Sequence, residues 1–525
     1  MGRSWKCMYT TKQPISYHTF IFPFLWNDAG KVTREDFKCC FQKGWREESF
    51  QDMIKPSNKC FYDQYHYFNQ AARNAIYTTK FDKAAIVWNY TFDFEQSDEA
   101  SSWLKSVKGE DNPAKYIIKK GDREAALSIN GVRLKLFNTG VGMLVFELEN
   151  YTYTDENDIL FINEFGRRVF MPYLNSSIDR ICSTCADDIA IEYNGKRIEA
   201  ASGKVSGAEV LFENEIKLAP AIMFFLSNEV KSITASANPK DNEYFIEPIV
   251  DDRMFVACFY KNKEYVQEMS EWKDGTYRYI YDAENKKPYL PDNAAGRLYK
   301  MMFVGAGLNC HSRTMLKSQL EKHVYDRWVE CAFKPANSSE YIGSATLTGI
   351  TEYSLISVSE EAPMLLTVPF LTEYVEMAIL VLAQRASLLA FERTISEIAC
   401  HNTTADVETV QRDYIIFQSE LLIGEVTPQQ QGIELYNMML ESLFIKNQQK
   451  EIESQINSLV GLSSAGNEKS ENIILFALAV LGIFDVVNIV FSEWFEYGET
   501  VCFSLSAVIL IVIMYLKTRR SGWWK

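Results

Sequence analysis

The sequence predicts a cytoplasmic α/β domain, then long α-helices, then two transmembrane helices at the C-terminal end. Three observations carry this. Two apolar runs, 472–491 (NIILFALAVLGIFDVVNIVF) and 500–516 (TVCFSLSAVILIVIMYL), are each close to the ~20 residues that cross a ~30 Å hydrocarbon core. Residues 370–399 (FLTEYVEMAILVLAQRASLLAFERTISEIA) contain no Pro or Gly and consist largely of helix formers. Before about residue 360, short apolar strands alternate with helical stretches. The expected divisions are 1–362 for an α/β sensor domain, which length allows to hold two subdomains, and 363–471 for a helical stalk. The transmembrane hairpin takes 472–516 and a basic cytoplasmic tail 517–525.

Composition narrows the function classes. At 525 residues the chain exceeds one compact unit. Its formal net charge of −15 argues against a nucleic-acid polymer as the main partner and suits cations. A mean hydropathy of −0.17 makes most of the chain soluble. The first twenty residues, MGRSWKCMYTTKQPISYHTF, lack the apolar core of a signal peptide, so the N-terminal part is expected to stay in the cytoplasm. Eleven cysteines, odd in number and scattered, read as reduced thiols. Cys182 and Cys185 form a lone CxxC without a second pair, which fits incidental thiols better than zinc. Sequons at Asn89 and Asn150 are then chance matches. There is no HExxH, nucleophile elbow or phosphate loop, and nothing argues for catalysis.

Taken in order, 18–26 (HTFIFPFLW) and 84–94 (AAIVWNYTFDF) read as strands, with helical spacing of aromatics from Tyr62 to Tyr77 between them. Val132, Leu134 and Leu136 alternate with polar residues, a turn follows at 138–140, and a second run spans 143–148. That is an antiparallel hairpin. Asp155 or Asn157 is placed to cap a helix running to Arg168. Strands are expected at 244–250, 254–260, 301–304 and 353–358, and a helix at 315–329. A helix from Asp406 to Ile423 ends at Gly424 and Pro428. From Gln429 an apolar stripe runs toward the membrane; unless 461–466 breaks it, one helix to Phe491 would be roughly 90 Å long. Such a stripe must be buried by helix partners or neighbouring subunits.

The first apolar run carries Asp485 and Asn488 on one helical face, with Asn472 at its start. A carboxylate facing lipid is costly, so the pair either lines a cation path or clasps neighbouring helices. Two helices per chain cannot enclose a path, so the pore reading demands a homo-oligomer. The turn 492–499 (SEWFEYGE) has Glu493, Glu496 and Glu499 and no Lys or Arg. It either forms an acidic ring at the outer mouth or is a solvated turn. Lys517, Arg519, Arg520, Trp523 and Trp524 close the second run, which puts both termini in the cytoplasm of a multi-pass inner-membrane protein. In the soluble part, Arg167-Arg168 and the run 304–316 (VGAGLNCHSRTML), with Asn309, His311 and Arg313, are the anion-binding candidates. A structural turn is the competing reading of each.

The order of soluble α/β domain, long helix, transmembrane helix, short outer turn, second helix and basic tail resembles the CorA family of divalent-cation channels. The resemblance covers about 365–525 closely and the rest loosely. It implies a homopentamer whose first transmembrane helices line the pore, with Mg2+ as the family's typical cargo. The family's Tyr-Gly-Met-Asn motif is matched only by Tyr497-Gly498, followed here by Glu499. In LTGITEYSLISV (347–358) and EMAILVLAQRASLL (376–389) the chain also resembles the divergent CorA-like membrane effectors of type III CRISPR systems. That resemblance implies activation by a nucleotide second messenger, an adenosylmethionine–AMP conjugate (SAM-AMP), in antiviral defence. Two rival expectations remain: a Mg2+-type transporter regulated by the metal itself, with carboxylate pairs at subunit interfaces, and a non-conducting membrane-anchored sensor. A nucleotide-gated channel requires an aromatic and basic pocket instead.

Overall fold

The computed structural model describes residues 13–26, 33–39, 44–48, 59–79, 85–94, 114–168, 186–193, 196–198, 224–226, 230–232, 244–251, 253–270, 280–282, 287–289, 297, 300–305, 328–333, 342–362, 364–401 and 404–462. Strands β1 (Ser16–Leu25), β2 (Trp45–Glu47), β3 (Val87–Phe92), β4 (Ala114–Lys120), β5 (Arg123–Phe137), β6 (Val141–Asn150), β7 (Asp188–Tyr193) and β8 (Lys196–Ile198) come first. They are followed by β9 (Val230–Ser232), β10 (Tyr244–Pro248), β11 (Phe255–Lys261), β12 (Ile280–Asp282), β13 (Lys287–Tyr289), β14 (Trp328–Phe333), β15 (Ile342–Ile350) and β16 (Ser354–Ser359). All but β12 and β13 join one sheet, whose spine runs β14-β15-β16-β11-β1-β6-β5-β4-β7-β8.

The N-terminal region is therefore sheet-rich, and helices follow it. The pairings are mostly antiparallel, with only β11–β16 and β9–β10 parallel among those described. Long hairpins such as β5–β6 supply the antiparallel order. That hairpin turns at Gly140, whose φ of 83° is open to glycine.

Helices cover both faces. Helices α1 (Arg34–Cys39), α2 (Lys59–Tyr67), α3 (Gln70–Ile76), α4 (Glu156–Gly166) and α5 (Lys263–Ser270) are interleaved with the strands. Asp155 caps α4 by accepting from the Asn157 amide at 2.7 Å. Ile159 and Ile162 of α4 share the main core with Phe20, Phe22, Leu134, Phe146 and Leu148 from alternate positions of β1, β5 and β6. The helical reading of 62–77 is corrected by one break: Asn69 starts a second helix by accepting from the Ala72 amide at 3.0 Å. The expected strand at 301–304 is instead the end of a helical turn, with Val304 at φ 54°. Of the helix expected over 315–329, only Trp328 and Val329 are described, and they belong to β14.

The other face of the sheet lies under α6 (Met364–Pro369), a π-helical turn (Phe370–Tyr374) and α7 (Val375–His401). Phe370 meets Phe259 of β11 with ring centroids 5.6 Å apart, and Ser387 Oγ lies 2.7 Å from Thr139 Oγ1. Helices α8 (Thr404–Glu420) and α9 (Gln430–Ser442) follow. The stretch 366–400 is long and apolar enough to cross a membrane, yet 72% of its most apolar window is buried within the protein. Its apolar character is used against the sheet. The single long helix expected from Gln429 stops at Ser442, turns at Leu443–Phe444 and resumes over 445–462. Phe444 has φ 58°, which no continuous α-helix accommodates.

Two compact units divide the chain, 1–394 with 412–452, and 395–411 with 453–525. The first contains every described strand. In the second, the described residues are helical. The carboxamides of both sequon asparagines are buried, and Asn89 donates to the Ile76 carbonyl at 3.1 Å.

Candidate anion site around Tyr353

Arg167 follows the last turn of α4. Gly166 makes this possible, because a Cβ there would lie 2.7 Å from Ile118 Cδ1 and 2.8 Å from Phe20 Cζ. With glycine in place, α4 sits close on the sheet, and Tyr116 Oη donates to the Gly166 carbonyl at 2.9 Å. The chain then turns at Arg167, whose carbonyl accepts from the Met254 amide at 2.8 Å. Its side chain is left 2% exposed.

Among the described residues, neither Nε nor Nη1 of Arg167 has a hydrogen-bond partner. Its guanidinium carbon lies 5.6 Å from the centre of the Tyr353 ring. Arg253 lies over the same ring at 4.9 Å, so two cations share one aromatic face system. Burial brings Arg167 down to about pKa 10, and the nearby Arg253 and Arg168 charges add to that against the opposing Glu164 and Asp251. An arginine so hidden and so poorly compensated is costly. Arg168 differs: its Nε donates to Glu164 Oε1 at 3.0 Å, one turn back on the helix. The sequence pair is thus split between an engaged guanidinium and an unengaged one.

Tyr353 lies in the tight β15–β16 connection. Thr351 Oγ1 accepts from the Tyr353 and Ser354 amides at 3.1 and 3.2 Å, which sets the turn. Thr351 Oγ1 also donates to the Met302 carbonyl at 3.2 Å, as does Ser354 Oγ. These bonds bring the end of the 300–305 turn beside the site, with Phe303 and Tyr353 ring centroids 6.4 Å apart. Of the run 304–316, only Val304 and Gly305, at the end of this turn, are among the described residues. Asn309, His311 and Arg313 lie outside the described residues, as do Asn472, Asp485, Asn488, Glu493, Glu496, Tyr497, Gly498 and Glu499.

Asp251 supplies a carboxylate to Arg253. Arg253 donates from Nε to Oδ1 at 3.0 Å and from Nη2 to Oδ2 at 2.7 Å, a fork-to-fork pair. Val250, just before it, holds φ 84°, a conformation that costs a β-branched residue of order 1–3 kcal/mol. Sequence reasoning missed Arg253 and Tyr353. Their signals were a lone Arg after paired Asp residues and a Tyr inside the LTGITEYSLISV stretch.

Chemically, the cluster offers planar cations for a phosphate or carboxylate and an aromatic surface for a flat ring. Among the described residues, no group of three or more His, Cys, Asp or Glu side chains is gathered as for a metal ion. No protein-family model matches the chain, and no curated protein matches it in sequence.

Proposed function

We propose that this protein is a CorA-like, homo-oligomeric membrane channel, pentameric by that resemblance, opened by a nucleotide second messenger bound to its cytoplasmic domain. The SAM-AMP type of messenger, and with it a role as an antiviral effector of a type III CRISPR system, is the leading identity for the ligand. The observation that carries the reading is the buried Arg167, whose Nε and Nη1 lack hydrogen-bond partners among the described residues, beside Arg253 and Tyr353. Of the two gating chemistries, metal-regulated transport calls for paired carboxylates and nucleotide gating calls for arginines with an aromatic ring. Arg167 belongs to the second.

In this reading the phosphate meets Arg167 and Arg253 and the base stacks near Tyr353 and Phe303. Asp485 and Asn488 of the expected C-terminal hairpin are the residues proposed to line the cation path. A ligand opens the path only if it binds the open state better than the closed one. The test is ion flux from liposomes holding the full chain, with SAM-AMP, ATP or AMP, beside Asp485→Ala and Arg167→Met. Flux that needs a nucleotide, and that both substitutions reduce, supports the reading. Flux set by Mg2+ alone, or no flux with any nucleotide, overturns it.

A further inference from the structure

Arg167 and Arg253 lie over the same Tyr353 ring, and solvent reaches only one of them. The Arg253 side chain is 25% exposed and that of Asp251 20%, whereas Arg167 is buried. The fork of Arg253 already holds a two-oxygen anion. Its Nε donates to both Asp251 oxygens at 3.0 and 3.2 Å, and its Nη2 donates to Oδ2 at 2.7 Å. A guanidinium takes a phosphate or a free carboxylate in the same way. The stretch that carries this pair is tied to the rest of the cluster through its backbone. The Met254 amide donates to the Arg167 carbonyl at 2.8 Å, and the Val256 amide donates to the Tyr353 carbonyl at 3.0 Å.

We infer that Asp251 is a tethered stand-in for the ligand's anion, closing the Arg253 fork in the ligand-free protein and leaving it when a phosphate binds. The inference rests on the nucleotide-binding reading of the cluster and adds how that site is regulated. Two observations favour it over a fixed structural ion pair. The fork pairing spans two residues within the connection between β10, which ends at Pro248, and β11, which begins at Phe255. It therefore joins no two elements, unlike the Arg133 bond to Glu376 from strand to helix. The chain also reaches Asp251 through Val250 at φ 84°. A β-branched residue keeps such a backbone only where its surroundings impose it, and such strain gathers at ligand clamps and switches.

Binding is then an exchange of anions on one cation. Two anions on a single fork repel each other, so the occupants exclude one another. The incoming phosphate takes the Nε and Nη2 hydrogens, Asp251 turns out to water, and Val250 is released from its strained backbone. A tethered carboxylate competes at the high effective concentration of an intramolecular partner. The site is thereby held to a lower affinity than its arginines alone would give, and only a ligand that also engages Arg167 and the Tyr353 ring displaces Asp251.

The experiment is calorimetric titration of the full chain in nanodiscs with SAM-AMP, ATP and AMP, for wild type, Asp251→Asn, Arg253→Gln and the double variant. Asparagine keeps the shape and removes the competing charge, so Asp251→Asn should bind nucleotide about tenfold more tightly. Arg253→Gln should remove that gain, leaving the double variant within about twofold of Arg253→Gln alone. Hydrogen exchange on the wild type needs no variant to fold: with nucleotide bound, the 250–253 amides should exchange about threefold faster as the stretch is released. Equal or weaker binding by Asp251→Asn than by wild type makes Asp251 a support for Arg253; it overturns the exchange and leaves the nucleotide site standing. Slowed or unchanged 250–253 amides in the bound wild type overturn it in the same way. Failure of all three nucleotides to bind either wild type or Asp251→Asn overturns the site and the exchange together.

Discussion

Arg133 and Arg167 are buried to the same degree, each 2% exposed, and live in opposite surroundings. Arg133 points from β5 to the underside of α7. Its Nη1 donates to Glu376 Oε1, and its Nε lies 2.8 Å from Glu147 Oε1, near enough for an ion pair though not aligned for a hydrogen bond. Lys135, two residues on, donates to the second Glu376 oxygen at 2.6 Å. Burial pulls the Arg133 guanidinium down, but Glu147 and Glu376 outweigh it and hold its pKa above the ordinary arginine value. On Arg167, Glu164 and Asp251 act in the same sense but do not outweigh burial, and its pKa falls. The difference separates a cation paired within the fold from one left with unbonded nitrogens, the one proposed to take an anion.

The contrast breaks most visibly at Glu376. Glu376→Ala leaves two buried cations with one carboxylate between them and should cost about 3–5 kcal/mol, read as a fall in melting temperature. Arg167→Met should have the opposite sign: stability unchanged or raised, because a buried charge with two unbonded nitrogens is exchanged for an apolar chain of similar length, while nucleotide affinity falls by about ten- to a hundredfold. Calorimetric titration beside a thermal melt checks both halves. Tyr353→Leu keeps the turn, which Thr351 holds through backbone amides. It should lower affinity by about tenfold through lost stacking, with little change in melting.

The smallest effect concerns the π-helical turn before α7. Burial, then the facing carboxylate of Asp63, raises Glu373 from its ordinary 4.5 to about 7; the phenols of Tyr67 and Tyr374 are its other titratable neighbours. A carboxyl whose folded pKa is raised favours folding when protonated, so its contribution is full below about pH 4.5 and is lost as pH rises to about 7. Glu373→Gln should therefore melt about 1–3 °C above the wild type at pH 8 and level with it at pH 4.5.

Much of this contrast was legible in parts. The β5–β6 hairpin followed from the alternation of Val132, Leu134 and Leu136 and from the turn at Gly140, because a two-residue period leaves few other structures. The Asp155 cap followed from a short acceptor placed before an apolar helical run. The burial of Arg133 and Lys135 between Val132, Leu134 and Leu136 was not legible, since α7 crosses that face and brings Glu376. A carboxylate inside EMAILVLAQRASLL was the signal for that, and long-range packing decided its meaning. Arg167 was visible as half of a basic pair, but only tertiary structure could split it from Arg168, which Glu164 takes. Arg253 and Tyr353 come from stretches distant from Arg167, and no local pattern unites the three. The break at Phe444 was equally hidden, because Met439, Leu443 and Ile445 keep a helical apolar stripe across it.

The most direct test of the central claim is nucleotide binding to purified full-length wild type and Arg167→Met, measured by calorimetry with melting temperatures taken on the same samples. Binding in the wild type, its loss in Arg167→Met, and a variant that melts no lower than the wild type are the expected results. Undiminished binding in Arg167→Met, or a variant that loses binding only because it melts far below the wild type, would contradict the assignment of Arg167 as the anion-seeking cation.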